Sequence, residues 1–235
     1  RNLGMESPGW MGGFKADGCG YHHWGHYPGY SFGAMASASY VCYLFSGTPW
    51  AMNRKALDNL RRVLYSAYVY CNPAPGMGIC GRHPFSYGKL SRLKPFYDWF
   101  AEADGGKPVI IDKNPQGHWT FNYGCFGVHR YKDKAVTLKG YNRYVWSSEI
   151  YTRDNRYGRY QSSGTIEIMP KSGPASVGRV QAGWDWNRNP GATVLYRPFN
   201  ILESPKHNTL MLTSPSTISG SSNLLGKYGA FGVEL

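Results

Sequence analysis

The sequence predicts an α+β chain, with helical hairpins in the first part and an antiparallel β-sandwich or sheet in the second. Three observations carry this. Apolar residues recur at helical spacing up to about residue 103, short β-type runs separated by turns begin after Pro108, and Asp104-Gly105-Gly106 punctuates the change. The expected domains are therefore 1–104 and 105–235, and a linker this short allows little free movement between them.

Residues 17–30 come first. They hold His22, His23 and His26 with Tyr21, Tyr27 and Tyr30 among glycines and a proline, and read as an irregular loop. Residues 31–72 read as an αα pair. Its first stripe is Ala34, Ala36, Ala38, Val41 and Leu44, its break is Gly47-Thr48-Pro49, and its second stripe is Leu57, Leu60, Val63, Leu64 and Ala67. Residues 73–84 read as loop, and 90–103 as a shorter amphipathic helix. The β-type runs follow at 109–111, 119–121, 127–129, 135–138, 165–168, 192–196 and 209–212.

Composition narrows the class of partner. A hydrophobic content of 42% over 235 residues supports a buried core, while aromatic residues at 16% nearly match charged ones at 17%, as in a carbohydrate groove. The formal charge of +12 draws a polyanion. Nucleic acid fits poorly, because the basic residues are dispersed and no recognition motif is present. No apolar run approaches the roughly 20 residues that span a bilayer. Five cysteines without a CxxC pair argue against structural zinc, and the odd count argues against a complete disulfide framework. Cys71 and Cys80 bracket a Pro/Gly loop, where they either pair or stay reduced. The chain starts at Arg1 with no signal-peptide pattern, so processing or truncation is expected to have removed what preceded it.

Histidine and tyrosine side chains carry transferable protons, which makes residues 17–30 the candidate seat of chemistry. Packing of ordinary rings in a turn is the plain alternative. His22 and His26 have zinc-ligand spacing, but Gly25, Pro28 and Gly29 oppose a helix and no HExxH is present. A serine hydrolase lacks its G-x-S-x-G elbow, and a glycosidase would have to choose among Asp17, Asp98, Asp154, Asp185 and Glu149 without a guiding spacing. Arg82 reads as a cationic loop residue and Glu149 as one half of an ion pair. Asn155, Arg156 and Arg159, in a Tyr-rich run, suit sugars bearing carboxylate or sulfate groups.

Together the motifs Asp17-Gly18 through His22-His23, Tyr27-Pro28-Gly29-Tyr30-Ser31-Phe32, Gly81-Arg82-His83-Pro84-Phe85, Trp146-Ser147-Ser148-Glu149-Ile150-Tyr151, Asp154 through Ser162 and Gly183-Trp184-Asp185-Trp186-Asn187-Arg188 resemble the chondroitin sulfate ABC lyases. These are relatives of hyaluronate and chondroitin AC lyases. The resemblance implies the C-terminal part of an α/α toroid followed by an antiparallel β-sandwich. It places the family's catalytic histidine at His23, its tyrosine at Tyr30, its arginine at Arg82 and its glutamate at Glu149. His22, Trp24, Asn155, Arg156 and Arg159 become expected substrate contacts.

The implied activity is β-elimination at uronic acids of chondroitin or dermatan sulfate, with hyaluronan or an algal sulfated polyuronate as alternative substrates. A non-catalytic polyanion-binding fragment is the reading from another class. No cofactor is implied as required, and a divalent cation such as calcium or magnesium is left unassigned. The substrate class implies a secreted or periplasmic location. Because family members are several times longer, part of the substrate groove is expected to lie outside these residues. Phenols ionise near pH ~10, so a base at Tyr30 needs a cation to favour the phenolate, and Arg82 is its candidate. Glu149 is expected to orient Arg82 or a histidine.

Overall fold

The computed structural model describes residues 11–85, 90–174, 183–203, 210–211 and 214–234. A small antiparallel sheet opens the described chain, formed by β1 (Gly13–Phe14), β2 (Gly20–His22) and β3 (Gly25–His26). Two long helices follow, α1 (Pro28–Phe45) and α2 (Arg54–Tyr70), then α3 (Lys94–Ala103). The main sheet has the order β4 (Gly117–Phe121), β5 (Phe126–Tyr131), β6 (Lys134–Lys139), β8 (Thr165–Met169), all antiparallel. Between β6 and β8 lies the two-residue β7 (Glu149–Ile150), paired with β9 (Leu210–Met211). A single turn, α4 (Phe199–Leu202), precedes β9, and a hairpin of β10 (Ser219–Leu224) and β11 (Tyr228–Val233) ends the fold.

Residues 17–30 are thus not one irregular loop. Pro28 sits in the first helical turn, where its missing N–H and fixed φ cost nothing, so the Pro-Gly pair starts α1 and puts Tyr30 on it. The stripe expected on α1 is only in part the one that packs: Ala36, Ala38 and Val41 are half-buried, and Ala38 touches the core. Ala34 and Leu44 are exposed, and the helix instead buries Phe32, Met35, Ser39 and Cys42. An apolar segment rich in alanine points to no single face, and the larger rings and thioether take the core. On α2 the expected Leu60, Val63, Leu64 and Ala67 are buried and Leu57 is partly buried against the same core, with Leu60 and Leu64 fully enclosed; each of these two contributes about 1.5–3 kcal/mol by leaving water. Asn53 caps α2 by accepting from the Ala56 N–H at 2.9 Å.

One core joins the helices to the main sheet, since Phe32, Met35, Leu60, Leu64, Tyr70 and Phe100 pack with Phe121, Phe126 and Val128. Alternation along β5 explains how. Phe126 and Val128 face the helices, as does Arg130, whose guanidinium donates to the carbonyls of Val69 and Cys71 at 3.0 and 2.8 Å and so closes the C-terminus of α2. On the other face the β10–β11 hairpin lies over β4 and β5, where the Ser221 hydroxyl meets His118 at 2.7 Å and the Asn122 side-chain amide donates to the Ser221 carbonyl and accepts from its N–H. The second part is layered as expected of a sandwich. Residues 109–111 and 192–196 are not strands, because without a neighbouring ladder a short β-branched run stays extended coil. Of the run 209–212, only β9 falls within the described residues.

All five cysteines are buried and free, Cys71 and Cys80 included. No helix of the described residues is long and apolar enough to cross a membrane.

Candidate active site

The β2–β3 hairpin turns on two residues, His23 and Trp24, with φ of 47° and 61°. A tight hairpin turn of this kind normally takes Asn-Gly, so an imidazole and an indole at positive φ are strained. Contacts from the β half hold them there. The Trp146 N–H donates to the Trp24 carbonyl at 2.9 Å, and the two indoles stack with centroids 5.3 Å apart.

His23 Nδ1 lies 2.6 Å from Glu149 Oε2. A carboxylate only accepts, so Nδ1 carries a proton, and in the neutral ring this fixes the tautomer with the lone pair on Nε2. Tyr27 donates to the same Oε2 at 3.0 Å, and Arg82 Nη1 donates to Oε1 at 3.0 Å. Burial alone would raise the Glu149 carboxyl; the His23 hydrogen bond and the Arg82 charge outweigh it, and the group sits below its ordinary value. Tyr27 is driven the other way by burial and by the Glu149 charge, so it stays a phenol and a donor. Its oxygen also accepts from the Arg82 backbone N–H at 3.1 Å.

Arg82 Nη2 donates to the Tyr30 hydroxyl, which completes a chain from Tyr30 through Arg82 and Glu149 to His23. The guanidinium also lies over the Tyr151 ring at 4.7 Å and 3.7 Å from Asp154. Tyr30 is 40% exposed and His23 opens to solvent, so the ends of the chain are accessible while Glu149 is 5% exposed. His22 stacks on His23 at 3.9 Å and meets Tyr30 edge-on at 4.7 Å; burial, then the neighbouring His23, lowers its pKa and favours the neutral ring. Beside Tyr30 and His22 a cavity of about 160 Å³ opens, with Phe14, Tyr21 and Ala34 on its wall.

Arg82 is carried by the loop after the 3-10 turn Met77–Ile79. Gly81 has φ 60°, and a Cβ there would lie 2.7 Å from the Tyr27 ring, so only glycine lets the loop pass beneath Tyr27.

His22, His23, Tyr30, Arg82 and Glu149 therefore converge, with Trp24 at the rim and 38% exposed. The other expected contacts do not. Asn155 is fully buried, accepts from Tyr151 N–H and donates to Glu149 C=O and Gln161, so its amide is occupied and cannot reach a polymer. Arg156 is paired with Glu203, and Arg159 is half-buried with its Nε enclosed and without a partner among the described residues. His26 is buried against Tyr70 and Phe126, its pKa lowered to about 3 by burial and then by Lys139. It is a core residue. The crowding at residues 17–30 takes in Tyr27 without marking its bond to Glu149, and Gln161 carries no mark of its partners in the sequence, because those partners lie far along the chain. Among the described residues no group of three or more His, Cys, Asp or Glu side chains is placed to hold a metal ion.

The chain as a whole also matches known proteins. The family described as "Lyase, catalytic" matches residues 2–112, and "Polysaccharide lyase family 8, super-sandwich domain" matches residues 116–235. The chain is 41% identical to the chondroitin sulfate ABC endolyase of Proteus vulgaris, over 99% of this chain and 25% of that protein. It is 31% identical to the chondroitin sulfate ABC exolyase of the same organism, over 98% of this chain and 27% of that protein. It thus spans about a quarter of the length of these relatives. In fold it is similar to the chondroitin AC lyase of Streptomyces coelicolor A3, at a TM-score of 0.75 and 14% identity over 99% of this chain and 39% of that one. It is also similar in fold to the Paenibacillus xanthan lyase, at a TM-score of 0.69 and 16% identity over 95% of this chain and 26% of that one. Both family matches, which between them take in the helical and the sheet segments, show that the chain belongs to polysaccharide lyase family 8.

Proposed function

We propose that this chain carries the acid–base centre of a lyase that cleaves chondroitin and dermatan sulfate by β-elimination, leaving 4,5-unsaturated uronate ends. The contact chain Tyr30–Arg82–Glu149–His23 is the observation that supports it. In the elimination a base takes the proton from C5 of the uronic acid. The C–H electron pair becomes the C4=C5 double bond, the C4–O4 bond breaks, and an acid protonates the departing O4. The uronate carboxylate must first be offset, and neutral His22 supplies an N–H for it. Arg82, donating to the Tyr30 oxygen, favours the phenolate, so Tyr30 takes the C5 proton and returns one to O4. For the C5 epimer the proton lies on the opposite face, where His23 Nε2 is the base and Tyr30 the acid. Glu149 does not meet the sugar in this reading. It holds the His23 tautomer and orients Arg82.

The division into a toroid segment at 1–104 and a sandwich segment at 105–235 belongs to the same proposal. So does a secreted or periplasmic location, where such polymers are met.

Tyr30→Phe, in the full-length protein that carries this sequence, tests the reading. Ultraviolet absorbance of the conjugated ends should rise at least ~10²-fold more slowly than in the parent. Unchanged rates in the variant would overturn the mechanism. Salt-sensitive binding with no unsaturated ends from the parent would make the protein a polyanion-binding module instead. Hyaluronan and algal polyuronates as parallel substrates define the polymer.

A further inference from the structure

Glu149 and Arg82 must be held about one hydrogen bond apart, yet neither stands on a substantial element. Glu149 is on the two-residue β7, and Arg82 follows a single 3-10 turn. What ties the two backbones together is a pair of buried side-chain amides. Asn155 Nδ2 donates to the Glu149 carbonyl at 3.0 Å and to Gln161 Oε1 at 2.9 Å, while Asn155 Oδ1 accepts from the Tyr151 N–H at 3.0 Å. Gln161 Nε2 then donates to the Met77 carbonyl at 2.9 Å and to the Gly81 carbonyl at 2.5 Å. Both N–H groups of each amide are used, both amide oxygens accept, and both residues are fully buried. Ser148, next to Glu149, adds a parallel bond to the Gly81 carbonyl at 3.1 Å.

We propose that Asn155 and Gln161 are positioning residues, forming a buried amide bridge that sets the separation of Glu149 from Arg82 and thereby the placement of Arg82 against Tyr30. The proposal rests on the lyase reading above. One end of the bridge is the peptide of Glu149 itself, and the other is the carbonyl immediately before Arg82. A fully satisfied network in a dry site has one low-energy arrangement, because any displacement strands a buried donor or carbonyl. The Arg82 loop is pinned a second time by Glu167, which accepts from the Met77 N–H at 2.6 Å, so the bridge works against a fixed support. A displacement of about 1 Å at a reacting group is enough to cost ~10²-fold in rate.

The test is Gln161→Met in the full-length protein, a swap of similar volume that removes both donors and the acceptor. The expected result is a kcat lower by ~10²-fold, with KM and the Kd for chondroitin sulfate within about 3-fold of the parent, measured well below the thermal midpoint. Ser148→Ala, which leaves both amides in place, is the milder arm and should lower kcat about 5-fold with KM unchanged. Parental kcat in folded Gln161→Met overturns the proposal, and so does a raised KM at constant kcat. Should Gln161→Met fail to fold, Gln161→Glu, which keeps the side-chain length but loses the pair of amide N–H donors to the Met77 and Gly81 carbonyls, takes its place, and parental kcat in it overturns the proposal. A parent that forms no unsaturated ends is a failure of the lyase reading; an active parent with an equally active variant is a failure of the bridge only.

Discussion

Asp104 and Glu149 are carboxylates of nearly equal burial, with side chains 2% and 3% exposed, and each is reached by cationic partners from distant parts of the chain. Asp104 receives Arg54 and Arg61 from α2, and Arg61 continues to the carbonyls of Lys107 and Pro108 at 2.8 and 2.7 Å. That cluster ties α2 to the end of α3 and to the crossing into the sheet segment. Its cations are guanidinium groups, which do not give up their protons, and its carboxylate titrates only in acid. Glu149 receives one guanidinium, one imidazole and one phenol, and the same guanidinium reaches a second, exposed phenol. Its partners include an imidazole, a side chain that can both give and take a proton, and the chain of contacts ends on an exposed phenol. A buried, paired carboxylate is therefore no sign of an active site; titratable partners with one open end are.

The contrast is sharpest in paired variants. Glu149→Gln should lower the rate of unsaturated-end formation by ~10²–10³-fold, since a neutral amide fixes neither the His23 tautomer nor the Arg82 charge, while the thermal midpoint moves much less than the rate. A parental rate would place Glu149 with Asp104 as a staple.

Asp104→Asn should do the reverse, with kcat unchanged and stability lower by about 2–3 kcal/mol in chemical denaturation, because Arg54 and Arg61 lose their anion. Its pH dependence has a definite sign. The Arg54 hydrogen bonds lead the causes that hold the Asp104 carboxyl below its ordinary value. Its stabilisation is thus complete above the usual carboxylate range and lost as pH falls through the lowered value, so the variant's acid-side stability curve should be flatter. Loss of kcat in folded Asp104→Asn would erase the distinction. The smallest effect is expected for Asn53→Ala, which removes the α2 cap for about 1 kcal/mol, with the rate of elimination untouched.

The two regions also differ in how far they could be read in advance. The periodic face of α2 and the β4, β5, β6 and β8 runs announce themselves, because burial on one side of a regular element repeats along the chain. On α1 the same logic held only in part, since alanines mark no side. The β2–β3 hairpin carried no usual turn residues, His23 and Trp24 being held at positive φ by Trp146 and Glu149 from far along the chain. At the site, His22, His23 and Tyr30 stood out by crowding into one short stretch, whereas Arg82 and Glu149 stood out only through a family likeness.

Sequence by itself determined the order of the helical and sheet segments, the proton-carrying cluster at residues 22–30 and the charge that favours an acidic polymer, because these are properties of neighbouring residues and of composition. Tertiary structure alone decided that Tyr27, and not only Tyr30, belongs to the site, that His26 is core, and that Asn155 and Gln161 brace Glu149 against Arg82. The physical reason is separation along the chain. His23 and Glu149 are 126 residues apart, and Gln161 and Gly81 are 80 apart. A hydrogen bond between such positions leaves no period or spacing to read, and exists only once the core has brought the two segments together.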